Sequence, residues 1–349
     1  MFKQSIFVIL CTFFLCIKCT GYSNTIKYYK YIHKAEKSIL NEDFSLATKC
    51  YKKAFTYLKH PFSKDLYVAS ICMLKSEVNI EDLQQWNKLY MYQSDKNLKD
   101  EIISDKGIGY YKNLFKIEWD SIIKDTIEKS NYAIITRNKL KALIKKDQEI
   151  RHQMEDLYGT DKYYLFEPKS NIMYVDSLNL YELNNIISDK QFSAYEIGNE
   201  GWNSIYIIIL HNSQWNRSFL IAEKLKQLVK NGKVDNRLFA YLAGRFCEAM
   251  KKSEEIQCIR GDIYGEKLYW VYGNHHTYPN FSKDEMKKIN KNRKEIYLNP
   301  IQERIKELIY QKQNENLFFI KKNEIALIPD ALLKKIESYI NNGKLKEIE

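Results

Sequence analysis

A mainly α protein, built as helical hairpins followed by a helical domain with a small β-hairpin, is what this chain of 349 residues predicts. Three observations carry the expectation. Apolar residues recur at three- and four-residue spacing over most of the length, the signature of amphipathic helices. Polar clusters such as Asn41-Glu42-Asp43 and Gly159-Thr160-Asp161 punctuate that pattern as turns. A turn pair followed by a strand-like run is confined to one short stretch, residues 256–272.

Residues 1–21 read as a secretory signal peptide. Lys3 supplies the positive start, and Ser5–Ile17 form an apolar or weakly polar run. Such a run fits a signal core of about 7–15 residues and falls short of a bilayer-spanning helix of about 20. Cys19 and Gly21 stand at the small-residue positions for a cut before Tyr22. Two alternatives are an uncleaved anchor and a lipoprotein acylated at Cys19, the latter opposed by Lys18, where that pattern wants a small neutral residue. The expected location is extracytoplasmic: periplasm, outer-membrane surface or medium. No apolar stretch after residue 22 is long enough to cross a membrane.

Residues 22–125 read as consecutive short helices. Tyr28, Ile32, Ala35 and Ile39 line one face of the first, and Phe44, Ala47, Tyr51, Ala54, Phe55 and Leu58 line the second, which Pro61 stops. The pair resembles a tetratricopeptide repeat, in which small residues let the helices of a hairpin approach while aromatics fill the gap. Ala35, Phe44, Ala47, Tyr51 and Ala54 match that pattern, with Pro61 two residues late. Leu66–Leu74 and Ile80–Tyr90 form a second pair without the consensus residues. A surface for a protein or peptide is what this resemblance implies.

Residues 126–312 read as a helical domain. A long helix runs from about Asp120 to Leu157 across its start, and Asn179–Ile187 is a short one. Ile205–Leu210 is ambiguous by pattern, since β-branched residues favour a strand. Trp215–Leu228 is amphipathic and closes at Asn231-Gly232. Asn236–Met250 is another helix, and residues 256–272 form the β-hairpin, turning at Tyr264-Gly265. Phe281–Glu295 and Pro300–Gln311 complete the domain. Residues 313–349 hold one more amphipathic helix, Pro329–Ile340, and a charged tail.

Composition narrows the function classes. The formal charge of +11 falls to +9 without Lys3 and Lys18. Lysines are interspersed with acids, with no Arg-rich groove, so the charge reads as a solvated surface and no nucleic-acid partner is expected. Cys50, Cys72, Cys247 and Cys258 lie outside the signal region; sequence-local disulfides are open to them in an oxidising compartment, as are buried free thiols. No phosphate-cradling loop, nucleophile elbow, metal-ligand spacing or cofactor motif occurs, so neither cofactor nor metal is expected. His275-His276 point different ways on any regular element and read as loop residues. The 27 Tyr and 5 Trp are spread evenly and read as core.

One constellation could carry chemistry. On four apolar helical stripes a polar or charged side chain interrupts the pattern: Asp147 and Arg151 follow Leu140 and Ile144, and His211 follows Ser204, Ile207 and Ile208. Arg245 follows Leu238, Tyr241 and Leu242, and Asn290 and Arg293 follow Met286 and Ile289. A core-facing charge is costly unless paired or turned to a polar cavity. If the four converge, Arg151, Arg245 and Arg293 anchor an anion, His211 moves a proton and Asp147 orients it. The same positions also suit a structural polar network, since Asp147 and Arg151 have ordinary helix salt-bridge spacing.

From about Leu140 to Leu308 the chain resembles a bacterial family known as domain of unknown function 6624. The resemblance rests on Asp147-Gln148 with Arg151, Asp176-x-x-Asn179 followed by Leu183 and Ile186-Ile187, Gly198, and the apolar run ending in His211. Ala240-Tyr241-Leu242 with Arg245, Gln257, Pro279 and Ile289-Asn290-x-x-Arg293 continue it. Gly244 departs from an acidic position, and Cys258–Asp262 from a Tyr-Gly-Thr-like turn. The resemblance implies a helical fold and supports helix for residues 202–212; it supplies no reaction. Two functions are therefore expected: first a non-catalytic envelope binding protein, and alternatively a hydrolase acting on an anionic substrate through His211 and Asp147.

Overall fold

A computed structural model describes residues 23–106, 128–158, 169–212, 217–244, 263–266, 270–272, 275–313 and 337–347. The chain is mainly α and divides into two compact units, Met1–Ile127 with Lys226–Asp235, and Glu128–Leu225 with Asn236–Glu349. None of the described helices is long and apolar enough to cross a membrane.

In the first unit, α1 spans residues 23–40. The chain then turns through Glu42, at φ 59°, into α2, Phe44–Phe55. Asp43 starts α2 because its carboxylate accepts from the Leu46 N–H at 2.9 Å, satisfying one of the orphan donors of a helix start. Next come α3 (Ser63–Lys75), α4 (Ile80–Ser94) and α5 (Leu98–Lys106). Asn79 caps α4 through Asp82 N–H, and the buried Asn87 accepts from the Leu98 N–H at the start of α5. Ala35, Ala47 and Ala54 are fully buried, as close helix packing requires, and Tyr28 and Phe62 meet edge to face. Tyr28 donates to the buried Asp65 at 2.5 Å. Cys50 and Cys72 are buried free thiols; Cys247 and Cys258 lie outside the described residues.

The second unit is built on α6 (Asn131–Tyr158), α7 (Lys169–Ser188) and α8 (Ala194–His211), which pack on one another. The ambiguous Ile205–Leu210 run is thus helical. Its β-branched residues bury Ile205, Ile208 and Ile209 against neighbours, and tertiary packing outweighs their local strand preference. Ser193 caps α8, and Gly198, at φ 67°, lets the chain kink within it. A Cβ at Gly201 would lie 3.2 Å from Leu140 Cδ1, so its absence lets α8 lie close on α6.

After α9 (Arg217–Lys230) comes α10 (Asn236–Ala243). Lys224 on α9 donates to Asn184 and Ser188 on α7, at 2.7 Å each. A capping box at Ser282 and Glu285 opens α11 (Lys283–Glu295), and α12 (Ile301–Gln313) follows.

The β-structure goes beyond the sequence expectation. Strand β1, Trp270–Tyr272, falls within the expected strand Lys267–Tyr272 and pairs antiparallel with β2, His275–Pro279, whereas the expected partner strand ahead of Tyr264-Gly265 lies outside the described residues. His275 and His276 are strand residues, not loop residues. A third strand, β3, Leu345–Glu347, forms from the tail expected to be merely charged; Pro279 stands opposite Leu345 in that pairing. Its partner is more than sixty residues away, beyond any local pattern.

Candidate functional site

Asp147 and Arg151 stand one turn apart on α6, on the stripe that buries Leu140. Asp147 has no exposed side-chain surface and gathers four donors. His211, the last residue of α8, places Nδ1 2.8 Å from Asp147 Oδ2. Gln148 Nε2 reaches the same oxygen at 2.8 Å, Arg151 Nε reaches it at 3.3 Å, and Arg151 Nη2 reaches Oδ1 at 3.3 Å. From α7, Asp176 accepts from Arg151 Nη2 at 2.6 Å. Three helices thus bring together a guanidinium, an imidazole and two carboxylates.

The tautomer of His211 follows from electrostatics. Arg151 Nε also lies 3.1 Å from His211 Nδ1, as if that nitrogen accepted. A bare lone pair 2.8 Å from an ionised carboxylate would be repelled, whereas an N–H there makes a charge-assisted bond. Nδ1 therefore carries the proton, Arg151 Nε serves the carboxylate, and Nε2 is the basic nitrogen. No described residue bonds Nε2, and the His211 side chain is 21 % exposed against 0 % for Asp147.

The two carboxyl groups are driven apart. Burial works to raise Asp147, but the bonds from His211 and Arg151 outweigh it and hold the acid below its ordinary value. At Asp176 burial wins and raises the value, with Arg151 opposing. Arg151 itself is held above its ordinary value, the two carboxylates outweighing its burial.

The expected four-helix convergence is only partly present. Arg293 is fully buried in a second network whose described members are all different. Its Nε donates to Asn299 O at 2.5 Å, and Nη1 donates to Tyr264 O at 2.6 Å and Glu266 Oε1 at 3.0 Å. Arg304 joins Glu266 at 3.1 Å and Glu307 at 2.8 Å, and Arg237 reaches Glu307 at 3.0 Å. Burial pulls the Arg293 guanidinium below its ordinary value against the attraction of Glu266. Arg293 thus ties the α11–α12 corner together, and its described partners include none of Asp147, Arg151 and His211. Asn290 caps α12, accepting from the Ile301 N–H at 2.7 Å and donating to Gln302 at 2.9 Å. Arg245 lies outside the described residues.

Asp176 was not among the residues singled out for chemistry, although the signal was present. Asp176, Asn179, Leu180, Leu183 and Ile187 are all buried along α7, so a charge interrupts an apolar stripe there too. Asn179 is 1 % exposed, and its Nδ2 has no bonding partner among the described residues. Arg304 and Glu307 interrupt the buried stripe of Ile301 and Leu308 in the same way. Among the described residues no group of three or more His, Cys, Asp or Glu is arranged to hold a metal ion. Compared with protein-family models, curated proteins and solved structures, the chain matches none.

Proposed function

We propose that this chain is an exported, extracytoplasmic protein whose second unit is a hydrolase-type acid–base site. His211 Nε2 takes a proton from water or a substrate hydroxyl, and Asp147 holds the imidazole in the tautomer that leaves Nε2 basic. Arg151, bound to Asp147 and Asp176, positions that dyad. The single observation carrying this reading is the 2.8 Å bond from His211 Nδ1 to a fully buried carboxylate while the ring keeps solvent access. The sequence expectation of an anionic substrate changes in one respect. Arg151 and Arg293 each bind a carboxylate of their own chain, so an anion would share them with it. The resemblance to domain of unknown function 6624 belongs to the same proposal, since Asp147, Asp176, Asn179 and His211 are among the residues that carry it.

A second reading is a non-catalytic envelope protein that binds a peptide, a protein or an anionic small molecule through a tetratricopeptide-like layer. Full burial of Ala35, Ala47 and Ala54 supports that packing style. A panel of ester, amide, phosphoester and glycoside substrates separates the two. The acid–base reading expects turnover of one class that falls about 10²–10⁴-fold in His211→Ala, the usual contribution of a general base, with the fold retained. Turnover unchanged by His211→Ala, or none on any class, sinks it.

A further inference from the structure

Lysines that look dispersed along the sequence converge on one face of the first unit. Residues 23–60 contain eight Lys and three acids, Glu36, Glu42 and Asp43, of which Glu36 is buried. Lys27, Lys30, Tyr31 and Lys34 share one side of α1, opposite the buried stripe of Tyr29, Ile32 and Glu36. Across the hairpin, Tyr57 stacks on Tyr31 with ring centres 5.8 Å apart. Lys27 and Lys53 lie over the Tyr57 ring, at 5.7 and 5.6 Å, and Lys34 lies over Tyr31 at 5.3 Å. Three exposed ammonium groups thus surround one pair of stacked rings, and none is paired with a described carboxylate.

We propose that this Lys–Tyr face docks the first unit on an anionic phospholipid surface. Like charges held together without counter-carboxylates repel one another, and bringing them to a negative surface relieves that cost. Tyrosine favours the membrane–water interface, where the ring meets apolar matter and the hydroxyl stays wet. Position favours lipid over a nucleic acid. Lys27 is ten residues past Ile17, the end of the apolar run, and such a segment spans at most about 35 Å. On the export reading proposed above, Ser5–Ile17 engages the bilayer, and the face is then held within reach of the headgroups.

The test is co-sedimentation of the chain from Tyr22 onward, which retains every described residue and lacks the apolar run that would insert by itself. The vesicles are phosphatidylcholine alone and phosphatidylcholine mixed with phosphatidylglycerol. Binding is expected only to the mixed vesicles and weakens as salt rises. The triple variant Lys27→Gln, Lys34→Gln, Lys53→Gln loses affinity on the order of a hundredfold, as three surface-facing lysines require. A control with the same charge change on α11, Lys283→Gln, Lys287→Gln, Lys291→Gln, binds like wild type. Equal loss in both triples would assign the effect to net charge and overturn the proposal. Equal binding to neutral vesicles, or binding to a single-stranded oligonucleotide but to no vesicle, overturns it as well.

Discussion

Replacing Asp147 with Asn keeps the shape of the side chain and removes the charge on which three side chains converge. His211 Nδ1, Arg151 and Gln148 all donate to that carboxylate, which has no exposed surface. Removing one partner of a buried ion pair costs about 3–5 kcal/mol, because the other charge is left uncompensated. Arg151 keeps Asp176 at 2.6 Å, and Asn still offers one acceptor, so the cost belongs at the lower end, about 3 kcal/mol. For a unit of this size that is a melting-temperature drop of roughly 6–12 °C. Urea and thermal unfolding followed by circular dichroism measure it at neutral pH. The sign of the pH dependence is also set. Asp147 titrates below its unfolded value of about 4, so its stabilisation is complete above that pH and is lost as pH falls through the folded value. The gap between wild type and Asp147→Asn is therefore constant from neutral pH to about 5 and closes below about 4. A loss under about 1 kcal/mol, or a gap that widens in acid, would refute a buried, ionised Asp147 at the centre of the cluster.

Two further outcomes follow from other parts of the fold. Glu307 is 1 % exposed and holds both Arg237 and Arg304, so Glu307→Gln is expected to destabilise the second unit by about 3–5 kcal/mol in urea unfolding. Any turnover per folded molecule should be unchanged, because no member of that network is bonded to His211. Burial raises the Cys72 and Cys50 thiols above their ordinary values, strongly at Cys72. Neither should take up iodoacetamide in the native protein, and both should be labelled in urea; rapid labelling of native Cys72 would contradict its burial.

Much of the helical architecture was legible locally, for identifiable reasons. The α1–α2 hairpin is written in Tyr28, Ile32, Ala35 and Ile39 on one stripe and Ala47, Tyr51 and Ala54 on the other, with Asp43 as the cap between them. The inward direction of Asp147, Arg151 and His211 was legible too, because helical periodicity states which face a residue occupies. The same rule was available for Asp176, Arg304 and Glu307. Periodicity is silent on which inward-facing side chain another will meet. Arg293 obeys the stripe rule as well as Arg151 does, yet it meets Glu266 and Tyr264 O instead of Asp147.

What this sequence determines by itself is the local order: short-range hydrogen bonding and side-chain period set where helices run, where they stop and which residues turn inward. Tertiary structure alone decided three things. It placed Asp147, Arg151 and Asp176 in one buried network and Arg293, Arg304 and Glu307 in another. It joined a tail strand to Tyr278 from across the chain, and it stacked Tyr57 on Tyr31 and set Lys27 over the Tyr57 ring. Each depends on pairs far apart in sequence, where packing of whole helices, and not the preference of any single segment, chooses the neighbour.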